Sequence, residues 1–463
     1  MSSQASAIEQ PLRPAGWRPL LRAASLTGAA SVAGAALSVV ATKIVASMLG
    51  PAEVAVLATL QQIRQAGVTV ATLNGQTALV QGGSSRSGCE RREFVRTALV
   101  LMGTATALMA VVALAAPGWI AASTGLGGAR AGMIRWIAAP VAFSGALVFL
   151  SAILNASGTI GRLALVQIAS PAAMAVLAYP VARTVGGGHE GALVWWIAAA
   201  AAGAAGLALA LLNRPEVAAW FQGPGSWWTR EAARGFLTMS GSMLAGGAVA
   251  SLVLLSARAR ILHQQGFAVA GQFDAAWAIS MNHVSLVLGS LQIYCLPVLA
   301  RSSGRAERGA HMTRMLTAAA LAATALVCVL AVLKPVVLTL FYSDAFREAS
   351  QYLRWTLIGD YLKASSWVLS IPMLASADMR AFLAADLGAY AVFAAGAAAM
   401  GHFRGAAEGT AIAFVMMYAA HLAMCGSIAW RRYGFRPNRC TTLIWTGGLL
   451  AVMAVSAVTW RAG

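Results

Sequence analysis

The chain has 463 residues, 59% of them hydrophobic and only 10% charged, with a formal net charge of +18. An ordinary soluble chain is about a quarter charged, so this composition excludes a soluble globular protein and indicates a polytopic membrane protein. No stretch outside the apolar runs is long enough to interleave basic and aromatic residues on a soluble face, so nucleic acid is excluded as the partner behind the positive charge.

A spanning helix needs roughly 20 mainly apolar residues. Residues 1–23 form a polar lead with Arg13, Arg18 and Arg22, expected to be cytoplasmic. The first apolar run, near 24–49, carries a stripe of Thr27, Ser31, Ala35, Ser38 and Thr42 with Lys43 beside it. Small and hydroxyl stripes favour close helix packing. The run is too long for a signal h-region and contains Lys43, so an uncleaved first span is expected.

The second run, 52–80, places Gln61, Gln65, Thr69, Thr72 and Gln76 at steps of three or four, on one helical face beside Arg64. Arg64 is about a dozen residues from either end, too deep to snorkel. A charge at mid-bilayer costs at least about 2.5–3.5 kcal/mol on insertion scales. Arg64 therefore either pairs with an acid on another helix or holds an anion.

Runs at 95–116, 133–154, 163–184 and 191–212 complete a first bundle of six, 24–212. A polar linker follows at 213–235, and its Trp227 and Trp228 suit an interfacial anchor. A second bundle, 236–430, holds runs at 236–257, 269–299, 315–341, 352–375, 381–400 and 406–430.

Arg258 and Arg260 fall at the edge of the seventh run. The eighth carries Gln272, Ser280, His283, Ser290 and Tyr294 along one face, with Asp274, Trp277 and Met281 beside it. Asp360 and Lys363 sit one turn apart in the tenth, which suits a mutual ion pair, and Asp386 lies in the eleventh. Asp274, His283 and Asp360 are candidates for coupling or gating. The segment 431–463 combines a basic loop with a run at 441–460, either a thirteenth span or a re-entrant tail.

Backbone groups in hydrocarbon must be bonded internally, and runs this long exclude a barrel, so the fold class is all-α. About twelve spans are expected in two pseudo-repeated six-helix bundles around a central cavity. MLGPAEVAVLATLQ, between runs one and two, echoes QQGFAVAGQFDAAW, between runs seven and eight, as duplicated transporters do. Arginines cluster after even-numbered runs, which puts the N-terminus and linker in the cytoplasm by the positive-inside rule; the same charge attracts anionic membrane lipids.

The five cysteines have neither disulfide nor zinc spacing, and no GxxxxGK[ST] occurs, so no metal, cofactor or ATP-driven step is expected. Lys43, Arg64, Arg258, Arg260 and Lys363 outnumber the intramembrane acids. If they share one cavity it suits an anion, and a guanidinium fork suits a phosphate.

Several segments resemble one family: KIVASMLGPAEVAVLATLQQI (43–63), ILNASGTIGRLALVQ (153–167), GQFDAAWAISMNHVSLVLGSLQIYCLPVLAR (271–301) and LRWTLIGDYLKASSWVLSIPMLASADMRAFLAAD (353–386). They are similar to the Wzx-type flippases for lipid-linked oligosaccharides, of the multidrug/oligosaccharidyl-lipid/polysaccharide exporter superfamily. The resemblance implies alternating access, a bacterial inner membrane and an undecaprenyl-pyrophosphate-linked oligosaccharide as cargo. It also implies a polysaccharide polymerase and a chain-length regulator as partners, and roles for Arg258, Asp360 and Lys363. The chain departs from the family after Trp430, where an extra apolar run follows.

Two other readings compete. A cation-coupled drug antiporter of the same superfamily needs a net acidic cavity. A membrane polymerase or glycosyltransferase needs outward acids near a donor phosphate, and the nearest candidates, Asp344 and Glu348, flank Arg347 and read as solvated surface. The expected protein is a transporter and not an enzyme.

Overall fold

The computed structural model describes residues 17–213, 218, 220–302, 304–376 and 378–461, with the backbone alone at 17–24, 282–298, 300–301 and 460–461. Among these residues every regular element is helical. The protein is an all-α, multi-pass membrane protein.

Two long helices organise it. Helix α1 (Trp17–Ala71) is broken at Gly50, with φ 79° and ψ −173°. It is followed by α2 (Gln76–Ser85), α3 (Gly88–Ala115), the short α4 (Pro117–Ser123) and α5 (Ala131–Arg135), then α6 (Ala138–Ala156), α7 (Ile160–Gly186) and α8 (Ala192–Leu212). Helix α9 (Arg230–Arg301) is broken at Gly266, with φ 81° and ψ 178°. Both breaks use a backbone region open essentially only to glycine, and they fall at matching places in the two echoing segments. The remainder are α10 (Arg305–Phe341), α11 (Ser350–Ala375), α12 (Met379–Arg404), α13 (Ala406–Tyr433) and α14 (Arg439–Arg461).

Among the described residues ten helices or joined helices are long and apolar enough to cross a membrane. Those broken at Gly50 and Gly266 are long enough to cross twice, whereas α11, which carries Arg354, Asp360 and Lys363, has the length but is not among the ten. Helices α1–α8 form one lobe and α9–α14 the other, with α1 against α9 as the main seam. The end holding Gly50 and Gly266 is called the hinge end; the opposite end holds the linker.

The tail is long and apolar enough for a full span. Helix α14 has 23 residues, about 35 Å of helix, and is bolted to α10 and α11. Tyr361 donates to the Trp445 carbonyl at 2.7 Å, Trp445 Nε1 donates to Ser365 at 2.8 Å, and the hydroxyls of Thr317 and Thr441 meet at 2.7 Å. These bonds satisfy polar groups that lipid cannot.

The apolar core shows which end is closed. One continuous cluster joins both lobes towards the hinge end, including Val45, Leu60, Ile134, Phe273, Phe346 and Leu357. Towards the linker the core divides into a cluster around Leu79, Phe94, Phe149 and Phe236 and a separate one around Met312, Leu316, Leu369 and Tyr433. The start of α9 bridges there, where Asn74 Nδ2 donates to the Met243 carbonyl at 2.7 Å. The first rod of α1 is correspondingly bare, with Val32 60% and Val40 49% exposed. The stripe expected to pack closely does so in part: Thr27, Ala35 and Thr42 are half-buried, whereas Ser31 and Ser38 are exposed and bond the carbonyls of Thr27 and Gly34 on their own helix.

Outside the membrane, Asp378 caps α12 and ties it to α13. It accepts from Ala381 N at 3.3 Å, Arg432 Nη1 at 2.6 Å and Tyr433 Oη at 3.1 Å. The Arg432 guanidinium holds this carboxyl below its usual range. A depressed carboxylate adds stability above its unfolded pKa and loses it as pH falls through the folded value. Asp378→Ala is therefore expected to lower Tm at neutral pH, by about 1 kcal/mol of capping. The Tm gap between the two proteins should close below about pH 3.9; a gap that persists at lower pH would rule out the charged cap.

Candidate functional site

A cavity of about 460 Å³ lies in the seam between the lobes, lined by Gln61, Gln62, Arg64 and Gln65 of α1, Arg258, Asp274 and Trp277 of α9, Phe393 of α12 and Thr410 of α13, among others. A smaller cavity of about 160 Å³ inside the first lobe shares Gln61, Arg64 and Gln65 and adds Ser144 of α6 and Ser170 of α7. Arg64 thus stands in the wall common to both.

Arg64 lies 14 residues past Gly50, about 21 Å along the helix axis and hence deep in the bilayer. Its Nη1 donates to Ser144 Oγ at 3.1 Å, and its buried Nε has no hydrogen-bond partner. Among the described residues no carboxylate forms an ion pair with it. The pair with an acid of another helix, one of the two expectations for this residue, is not made.

Arg258 behaves in the opposite way. The helix expected to end near 257 runs on to Gly266, with Ala257, Ala259, Ile261 and Leu262 all buried around the arginines. Arg258 is thereby inside the span, and its guanidinium is engaged on three sides. Nε donates to Asp274 Oδ1 at 2.9 Å and Nη2 to the same oxygen, while Nη1 donates to the Ala58 carbonyl at 3.2 Å and to Gln62 Oε1. The ion pair is 11% and 4% exposed on its two sides. It is neutral overall, so the net positive charge of the central cavity resides on Arg64.

The other predicted residues are dispersed. Lys43 is near the hinge end of α1, where Nζ donates to the Thr339 carbonyl of α10 at 2.5 Å, outside the cavity. Arg260 does not line the cavity either. Thr69 and Thr72 are buried and bond the carbonyls of Gln65 and Val68, and Gln76 is exposed at the start of α2. Of the five-residue stripe, Gln61 and Gln65 reach the site. Gln62, off that stripe, reaches it too.

Asp360 and Lys363 do not form the expected ion pair. Both Asp360 oxygens are buried without a partner, and Lys363 Nζ lies 3.5 Å from Met281 Sδ under the Tyr418 ring. On α9 the secondary stripe of Asp274, Trp277 and Met281 faces the cavity, whereas Gln272 bonds Ala345 and Ala349 away from it. His283 lies among the residues whose side chains are outside the described set.

Asp386 stands apart, 3.6 Å from His421 beside a cavity of about 250 Å³. A larger cavity of about 800 Å³, lined by residues such as Met102, Phe149 and Leu209, holds no ionisable side chain. Asp344 pairs with Arg347 on the surface, at 69% and 79% exposure, as a solvated turn does.

No family model matches the chain. It is 23% identical over 259 residues to the lipid III flippases of Escherichia coli (strain K12) and Shigella flexneri, a match covering 56% of this chain. The chain spans about three-fifths (61%) of the length of these curated relatives. Among solved structures it is similar to a multidrug resistance MATE family transporter of the MOP superfamily in an inward-facing conformation. The TM-score is 0.73 at 15% identity, over 91% of this chain and 95% of that one. The lipid II flippase MurJ in an inward closed conformation gives a TM-score of 0.64 at 14% identity, over 96% and 99%. The fold is that of these transporters.

Proposed function

We propose that the chain is a flippase that moves an undecaprenyl-pyrophosphate-linked oligosaccharide from the cytoplasmic to the periplasmic leaflet of a bacterial inner membrane, for surface polysaccharide assembly. The observation that carries this reading is Arg64, a deep guanidinium in a cavity wall with no carboxylate beside it. Such a group is costly unless it meets an anion, and its fork suits the oxygens of a diphosphate. Gln61, Gln65 and the Trp277 face offer hydrogen bonds and stacking to a short glycan. The similarity to lipid III flippases supports the same substrate class.

The two bundles, 24–212 and 236–430, act as the moving bodies, and the basic linker between them and the N-terminus face the cytoplasm. The divided core at the linker end then makes this conformation the one that loads cargo from inside. Rocking of the bundles presents the site to the periplasm, where a polymerase and its chain-length regulator would take the product. No bond is broken. The antiporter alternative loses ground because Asp274, the acid of the central cavity, is already neutralised by Arg258.

The test is binding to the purified protein in nanodiscs. A polyprenyl-diphosphate oligosaccharide is expected to bind saturably, and the sugar-free polyprenyl monophosphate at least about tenfold more weakly. Equal binding of the monophosphate, or no saturable binding, would remove the diphosphate site.

A further inference from the structure

The Arg258 cluster has a geometry that substrate binding alone does not require. Arg258 and Asp274 belong to the two rods of α9, on either side of Gly266, whereas Ala58 and Gln62 belong to the second rod of α1, in the other lobe. Arg258 is eight residues from its glycine break and Ala58 eight from its own, so the cluster lies at the hinge-side end of the cavity; Arg64 lies farther in. Beyond the cluster the lobes meet in the continuous apolar core, and Gly271 abuts the Pro51 backbone. The cluster is therefore a buried polar contact between the lobes on the cavity side of the sealed end, while the bonds of Lys43 to Thr339, Ser47 to Tyr342 and His263 to Ala122 also cross between them at that end.

We infer that Arg258 is a positioning residue that latches the lobes shut at the hinge end, through its Nη1 bonds to the Ala58 carbonyl and Gln62, and that an anionic cargo releases this latch by taking over Nη1. The pair with Asp274 lies within one lobe and does not cross the seam. The Nη1 bonds do cross it and must break when the hinge end opens, leaving a charged donor without acceptors, which is unfavourable. An anionic oxygen held in the same cavity by Arg64 supplies the replacement. A ligand shifts an equilibrium only by its differential affinity for the two states, and a donor made available by opening supplies that difference. The empty carrier accordingly stays shut at the hinge end and the loaded one opens.

This inference rests on the proposed anionic cargo for its second half only; the latch itself can be measured without ligand. Arg258→Ala would leave Asp274 buried without its ion-pair partner, so it risks misfolding. Gln62→Leu keeps the pair and removes one cross-lobe acceptor.

Spin labels at Ser123→Cys and Glu348→Cys, exposed hinge-end positions on opposite lobes, report the gap by pulsed electron resonance in nanodiscs, with the native cysteines replaced. Without ligand, Gln62→Leu is expected to raise the ratio of long to short distances at least about threefold over the parent. Gln62 lines the cavity as well, so its readout is the unliganded distance alone. Arg64→Ala, by contrast, should weaken the lipid without changing the unliganded distances. An unchanged ratio in unliganded Gln62→Leu overturns the latch whatever the lipid does. A raised ratio with no response of the parent to polyprenyl diphosphate upholds the latch and overturns cargo release, while the anionic-substrate reading stands or falls on the binding measurement.

Discussion

Arg64→Ala is expected to weaken binding of a polyprenyl-diphosphate oligosaccharide about a hundredfold while making the empty protein harder to unfold. The two effects share one cause. Charge-assisted hydrogen bonds are worth about 1.5–3 kcal/mol each, and losing a two-pronged contact to the diphosphate removes about 3 kcal/mol, which is about a hundredfold in Kd. In the empty protein the same guanidinium has one neutral partner, Ser144, and an unbonded Nε, so removing it relieves a charge that costs at least about 2.5–3.5 kcal/mol at mid-bilayer. Arg64→Lys should fall between, because an ammonium keeps the charge but not the fork. Paired measurements of Kd and of unliganded Tm decide the matter. A fall in Tm with Kd unchanged would identify Arg64 as a structural residue whose partner is elsewhere.

How much of this was legible in the chain depends on how local each signal is. The spans and the all-α class follow from run length and composition. The paired breaks were visible as a glycine in two echoing segments, because the backbone they need is nearly forbidden to other residues. The depth of Arg64 could be read by counting residues. Its lack of an acid partner could not, since that depends on which helices surround it.

Arg258 was misplaced because a run of alternating alanine and arginine reads as the end of a span. In three dimensions Ala257 and Ala259, on opposite sides of the helix, are both buried and the helix continues. Gln62 was missed for a geometric reason: one residue from Gln61 is 100° round the helix, and only the fold shows that the cavity wall is broad enough to include both. Lys43, by contrast, was expected to share the anion cavity, and it lies instead at the hinge end with its Nζ on a carbonyl of α10.

The closed hinge end depends most sharply on Gly271. A Cβ there would overlap the backbone carbonyl of Pro51, in the opposite lobe. A flexible side chain can move aside from such a clash, but a carbonyl at the start of a helical rod cannot without displacing the rod. Gly271 itself has ordinary helical geometry, so a larger residue improves the local helix by up to about 1 kcal/mol, and the strain falls on the seam between the lobes. Overpacking costs about 1–3 kcal/mol, and the state that escapes it is the one in which the seam has parted. Gly271→Val is therefore expected to fold with unchanged helicity and to shift the population towards the hinge-open state by about ten- to a hundredfold.

Transport should fall to a few per cent of the parent at most, since a carrier that cannot reseal cannot complete a cycle. The reporter is a cysteine at Val54, a buried seam position one turn beyond Pro51. In Gly271→Val it should react with an impermeant maleimide added from the hinge side, and in the parent it should react slowly. Equal and slow labelling in both proteins would mean that the lobes absorb the extra volume by bending within themselves, and the seam at Pro51 and Gly271 would then not be the surface that parts.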